Sequence, residues 1–197
     1  MNLTQGNKLL DVAVLEFGKG NSIEKFQLNP NHTKVFIPQE GKDYAVANAE
    51  GQTGEVPVSF KAEKNGAYTL SFNTEEVSFN YLQLIDNITG TEVDLLATPD
   101  YTFEAFTTDY DSRFKLVFAT GSSEDGDNFG FINSMGNLCI FGIEGTAIVE
   151  VIDITGRVLS SEHFSGNYEK HINATPGLYM LRLIQGNDVK TQKIVIE

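Results

Sequence analysis

Apolar and polar side chains alternate along most of the chain, and helical spacing is scarce. A period of two places successive side chains on opposite faces of a strand. DVAVLEF (11–17) predicts one strand, with Val12, Val14 and Glu16 on one side and Ala13, Leu15 and Phe17 on the other. KVFIPQ predicts a short strand ending at Pro38. EVPVSFKA aligns Val56, Val58 and Phe60, and its Pro57 predicts an edge position because proline donates no ladder hydrogen bond. Asn65-Gly66 then predicts a tight hairpin into AYTLSF, where Tyr68, Leu70 and Phe72 share a face. YLQLID, TEVDLL, YTFEAF and RFKLVFA continue the pattern, with polar turns such as DNITGT, ATPD and TTDYDS between them. Short strands with turns about every ten residues predict a β-sandwich.

The pattern breaks once. TGSSEDGDN (120–128) carries no apolar side chain, which predicts a boundary there. Beyond it, LCIFGI, AIVEVID, RVLSSEHF, YEKHIN, GLYMLRLI and VKTQKIVIE predict six more strands. The expected organisation is therefore all-β, with two β-sandwich domains. A larger Ig-like or jelly-roll sandwich spans residues 1–120, an acidic linker 121–129, and a small Ig-like sandwich 130–197.

Composition narrows the function. Across 197 residues, 14 Phe and 7 Tyr suit strands, and a net charge of −13 with no basic segment disfavours a groove for nucleic acid or docking on anionic lipid. No stretch is long and apolar enough to span a membrane, so direct insertion is not expected. The single cysteine, Cys139, excludes an intrachain disulfide and lies between Leu138 and Ile140, a setting that predicts a buried thiol.

Candidate chemistry is sparse. His32 sits in a turn, and His163 and His171 lie in strand patterns without metal-ligand spacing. No nucleophile elbow or phosphate-binding glycine loop occurs, so no catalytic residue and no resident cofactor are expected. Glu124, Asp125, Asp127 and Asn128 supply hard oxygen ligands suited to calcium, but they do not keep the register of a calcium-binding loop. A solvated linker and an interdomain calcium site both remain open there. Sugar-binding sites usually stack a ring on an exposed aromatic face. There is no Trp, and Tyr81, Tyr101, Tyr110 and Tyr168 are the aromatics whose placement the pattern leaves open.

The last third has a more specific order. VEVIDITGRVL (149–159) is a strand, a turn with Gly156-Arg157, and a second strand; PGLYMLRL (176–183) is a Gly-x-Tyr strand; KTQKIVIE (190–197) is a lysine followed by alternating aliphatics. The order and spacing resemble the type A C-terminal sorting domain of the type IX secretion system of Bacteroidetes. The resemblance puts its motif on Asp153, Gly156, Arg157, Gly177, Tyr179 and Lys193. Residues 1–120 resemble, more loosely, the uncharacterised β-rich segments of Bacteroides surface proteins, with which no activity is associated. The rival account of the last third is a plain small sandwich with good hairpin residues, and the fold expectation is the same.

The resemblance implies an exported or cell-surface protein whose small domain meets the secretion machinery or cell-surface components. It also implies a signal peptide. MNLTQGNKLLDVAVLEFG lacks one, so the chain is expected to be a fragment of a longer protein. The larger domain is expected to be a spacer or interaction domain with a glycan or protein ligand. A carbohydrate-binding or adhesin module is the alternative, and a sandwich-fold hydrolase a further one. KTQKIVIE would be open to strand addition if it lies on an edge.

Overall fold

The computed structural model describes residues 1–18, 20–26, 28–49, 51, 53–120, 129–132, 136–141 and 143–196. All of the regular structure described is β-strand, and the chain divides into two compact units, Met1–Thr120 and Gly121–Glu197. The expected acidic linker, with the calcium candidates Glu124, Asp125, Asp127 and Asn128, lies outside the described residues except for Phe129.

The larger unit holds β1 (Asn2–Gln5), β2 (Lys8–Val12), β3 (Val14–Phe17), β4 (Ile23–Glu24), β5 (Lys34–Gln39), β6 (Lys42–Ala49), β7 (Thr53–Lys61), β8 (Gly66–Ser71), β9 (Phe79–Asp86), β10 (Thr91–Asp94), β11 (Asp100–Ala105) and β12 (Phe114–Thr120). One sheet runs β11-β8-β1-β2, and the other runs β10-β9-β12-β7-β5-β6-β3 with β4 on β6. Leu3, Tyr68, Leu70 and Phe103 from the first sheet join Val58, Phe60, Leu84 and Phe114 from the second in one buried core. Burying these apolar side chains drives the two sheets together.

Three local readings change. DVAVLEF is two strands, because the chain crosses from one sheet to the other at Ala13. Ala13 is fully buried, and its backbone exchanges hydrogen bonds with Met1, N to O at 3.0 Å and O from the N-terminal amine at 2.9 Å. Beyond the crossing, β3 pairs parallel to β6, with Val14 opposite Val46. Asn65-Gly66 does not close a hairpin. It turns a corner between sheets, since β7 pairs with β12 and β5 while β8 pairs with β1 and β11. Asn65 Oδ1 accepts from Thr107 N at 2.9 Å, which ties this corner to the loop before β12. Pro57 is internal, opposite Lys115 of β12. The β5 ladder reaches β7 only at Ser59–Lys61, so Pro57 stands beyond its end, without a β5 partner, and β7 is locally an edge on that side.

A buried ion pair links the two sheets. Arg113 and Asp86 have side chains 1% and 0% exposed. Arg113 Nη2 donates to Asp86 Oδ2 at 2.8 Å and Nε donates to both carboxylate oxygens at 3.1 and 3.2 Å. Asp86 ends β9 in one sheet. Arg113 Nη1 donates to Glu104 O of β11, in the other sheet, at 2.8 Å. Tyr101, also on β11, donates its hydroxyl to Asp86 Oδ2 at 3.0 Å. The guanidinium lies 4.4 Å from the Phe103 ring centre and 5.2 Å from that of Phe114.

The small unit holds β13 (Gly130–Ile132), β14 (Asn137–Ile140), β15 (Thr146–Asp153), β16 (Val158–Ser165), β17 (Tyr168–His171), β18 (Gly177–Gln185) and β19 (Asp188–Ile196). Its sheets are β13-β14-β17 and β16-β15-β18-β19. Leu138 and Ile140 face Val149, Val151, Tyr179, Leu181, Leu183 and Ile194 across a second core. The expected pattern lacked β13. Cys139 is half-buried rather than a core residue, because the alternation that buries its two neighbours turns it to the other face.

Removing one partner of a buried pair strands the other charge, which typically costs about 3–5 kcal/mol. Asp86→Ala and Arg113→Ala are each expected to destabilise the larger unit by about that much in urea unfolding. Burial pushes the Asp86 carboxyl up, but bonds from Arg113, Ile88 N and Tyr101 outweigh it and hold it below the ordinary carboxylate range. A depressed folded-state value stabilises the fold above the ordinary carboxylate range, and that stability fades as pH falls below it. The urea midpoint should therefore fall on acidification, and by less in Asp86→Ala.

Candidate functional site

The turn between β15 and β16 is organised by one carboxylate. Asp153 Oδ1 accepts from Thr155 N at 2.9 Å, Thr155 Oγ1 at 2.6 Å and Arg157 N at 3.0 Å. Its Oδ2 accepts from Arg157 Nε at 3.0 Å. Asp153 N donates to Arg157 O at 3.0 Å, and Gly156 N donates to Asp153 O at 2.9 Å. Aspartate suits this position because its short side chain reaches back to N–H groups two and four residues on. Gly156 has φ 86°, a left-handed conformation that favours glycine. The Thr155 hydroxyl is the largest influence on the Asp153 carboxyl; desolvation opposes it, and bonds from Arg157 N, Thr155 N and the guanidinium complete a fall to about 2.

Sheet register brings the other motif residues close. Tyr179 lies opposite Asp153 on one side and Ile194 on the other, and Met180 lies opposite Lys193. Tyr179 is 8% exposed, and its hydroxyl donates to Thr175 O at 2.7 Å, fixing the approach to β18. Gly177 opens β18 opposite Ile196. Asp153, Gly156, Tyr179 and Lys193 line one depression of about 200 Å³, together with Ile152 and Met180. Arg157 touches it only through Asp153, and Gly177 lies outside its lining.

The surroundings are apolar. On the outer face of the sheet, Ile152 stands between Val158 and Met180, and Leu178 stands opposite Val195. Ile154, Leu178, Met180 and Val195 are all exposed. Further along that face Arg182 Nε donates to Glu150 Oε2 at 2.6 Å, so the charge there is paired. Met180 was legible as an outward residue of GLYMLRLI, but alternation alone did not show that it meets the Asp153 turn.

Gln192 is the residue that sequence reasoning missed. β19 is an edge strand of its own sheet. Gln192 Oε1 accepts from Phe129 N at 2.9 Å and Gly130 N at 3.1 Å, while its Nε2 donates to Gly130 O at 2.6 Å. A primary amide can imitate a peptide group, and here it laces the edge of β19 to the chain entering β13.

The other candidates do not converge. His32, His163 and His171 are exposed, and His32 Nδ1 lies 3.7 Å from Glu63. Among the described residues no group of three or more His, Cys, Asp or Glu could hold a metal ion. Tyr101 belongs to the buried ion pair, Tyr81 hydrogen-bonds Gln83, Tyr168 packs on Phe164 at 5.0 Å, and Tyr110 is exposed.

Residues 134–197 match the family model described as a secretion system C-terminal sorting domain. The last third is the sorting-type part of the chain. It agrees with the resemblance to the type IX secretion sorting domain, whose usual taxon is Bacteroidetes. The chain thus carries the sorting module of an exported protein, secreted or at the cell surface, and the sorting domain implies contact with the secretion machinery. No curated protein matches the chain. Among the described residues no helix is long and apolar enough to cross a membrane.

A Cβ at Gly156 would meet no atom within 4 Å, so Gly156→Ala acts through backbone strain alone. It should destabilise the small unit by about 1–3 kcal/mol in thermal unfolding. The depressed Asp153 carboxyl should keep the turn intact through pH 4 and release it as pH falls through about 2. The amide resonances of Thr155 and Arg157 should report that titration.

Proposed function

We propose that the chain is a non-catalytic module with two tasks. The small unit acts in secretion and surface attachment, and the larger unit is a spacer or interaction domain. The observation that carries this reading is the ordered Asp153 turn within the segment that matches the sorting family. Four backbone and side-chain bonds to one aspartate make the turn a fixed shape, which suits recognition by a folded partner.

The exposed apolar side chains beside that turn are the surface the secretion machinery would contact. Ile154, Leu178 and Met180 offer area to bury, and Lys193 adds a positive charge beside the same depression. β19 is an edge strand of its sheet, so strand addition there is the rival mode of recognition. The larger unit, with its sheets joined by a buried ion pair, suits a rigid body that holds a ligand or separates other parts of a surface protein.

A reporter fused to residues 130–197 and supplied with a signal peptide should reach the surface of a Bacteroidetes host. Retention in the periplasm would count against the reading. Leu178→Asp with Met180→Asp should retain the fusion in the periplasm while leaving its circular dichroism unchanged, since both side chains already face solvent.

A further inference from the structure

The larger unit has a depression of about 320 Å³ beside β2 and the segment leading into β5. Asp11, Lys25, Phe26, Asn29, His32 and Lys34 line it. Its volume falls at the lower end of the range for small-ligand sites. Phe26 is 83% exposed and Leu28, on the same rim, 89% exposed. Exposing a large ring to water is unfavourable, and a loop that holds one beside a polar hollow offers a platform for an apolar ligand face.

The floor of the hollow is fixed. Lys25 Nζ donates to Asp11 Oδ1 at 2.7 Å and to Val12 O at 2.9 Å, and Asp11 Oδ2 accepts from Val35 N at 2.9 Å. The Lys25 and Asp11 side chains are 9% and 19% exposed, so their charges are paired and largely covered. The loop is shaped by Asn29, whose Oδ1 accepts from Asn31 N at 3.0 Å and whose carbonyl accepts from His32 N at 3.2 Å. That use of Oδ1 leaves the Asn29 amide NH2 as a donor at the rim. His32 and Lys34 add polar groups, and the Lys34 ammonium lies 5.0 Å from the centre of the Phe36 ring.

An aromatic platform beside an amide, an imidazole and an ammonium, above a charge-paired floor, matches the chemistry of a sugar. A pyranose presents an apolar C–H face and a rim of hydroxyls that both donate and accept. The lining holds Lys25 and Lys34 against Asp11, but the long-range field of a chain of net charge −13 opposes the approach of an acidic ligand. We propose that this depression binds a neutral glycan, with one sugar ring against Phe26 and its hydroxyls bonded by Asn29, His32 and Lys34. The proposal rests on reading the larger unit as an interaction domain and names its ligand class.

The test uses the full chain on an array of neutral and acidic oligosaccharides, followed by calorimetry with a neutral glycan that binds. Phe26→Ala should weaken binding roughly tenfold or more. Phe26→Trp should retain it, Asn29→Ala should weaken it, and Tyr110→Ala, outside the depression, should leave it unchanged. Phe26 is exposed, so its variants should keep the parent melting temperature. Binding of no neutral glycan, binding of acidic glycans alone, or neutral-glycan affinity indifferent to Phe26→Ala would overturn the proposal. A protein ligand for the larger unit in place of a glycan would overturn it too, while leaving the interaction-domain reading standing. The reporter fusion to residues 130–197 lacks this depression, so its export reports on the sorting reading separately.

Discussion

Arg113 is the constraint on which the larger unit depends. A guanidinium that is 1% exposed can persist only if its charge and its donors are all engaged. Asp86 meets the charge from one sheet, Glu104 O and Tyr101 complete the network from the other, and Asp109 Oδ2 accepts from Nη1 at 3.3 Å. The same loop is tied at Phe60 N to Asp111 O, 2.8 Å, and at Asn87 N to Arg113 O, 2.8 Å. Sliding one sheet over the other would leave several buried polar groups unpaired at once. Apolar burial supplies attraction without direction, and this network supplies the direction. Phe60, Phe103 and Phe114 then pack edge to face around it, with ring centres 4.9 to 6.4 Å apart.

The small unit uses a different means. It has no buried ion pair among its described residues, and its distinctive polar devices are short-range. Asp153 organises a turn, and Gln192 joins the last strand to the entry of β13. The turn leaves Ile154 and Arg157 exposed in a fixed arrangement beside Leu178 and Met180. The proposed recognition surface has to be rigid enough to be read and exposed enough to be reached, and the bonds to Asp153 and the exposure of Ile154 and Arg157 suit that role.

Strand positions were legible because alternation reports burial directly. Tyr179, Leu181 and Leu183 face the core and Met180 faces outward, as a period of two requires. Pairing was less legible, because it depends on where the chain changes sheets. Asn65-Gly66 has hairpin chemistry yet turns a corner, and nothing in its neighbours distinguishes the two outcomes. Asp86 was partly legible, since it shares parity with the inward Leu82 and Leu84, but it also looks like the first residue of a polar turn. Arg113 was not legible. Parity with Phe114 points it outward, and only the irregular loop before β12 turns it into the core. In the candidate site, the motif residues Asp153, Gly156 and Tyr179 could be picked out in sequence, whereas the amide of Gln192 depends on a strand about sixty residues away. Phe26 lay outside every strand pattern, so nothing placed it beside Asp11 and Lys34.

The central proposal is that the small unit carries the larger one out of the cell by the shape of its Asp153 turn. Protease treatment of intact cells, with the chain in its natural full-length context, tests this directly when Asp153→Ala is compared with the unaltered protein. The account predicts that residues 1–120 are cleaved from outside in the unaltered protein and are shielded in the variant, which accumulates folded in the periplasm. Equal cleavage of both, with equal amounts of protein, would contradict it.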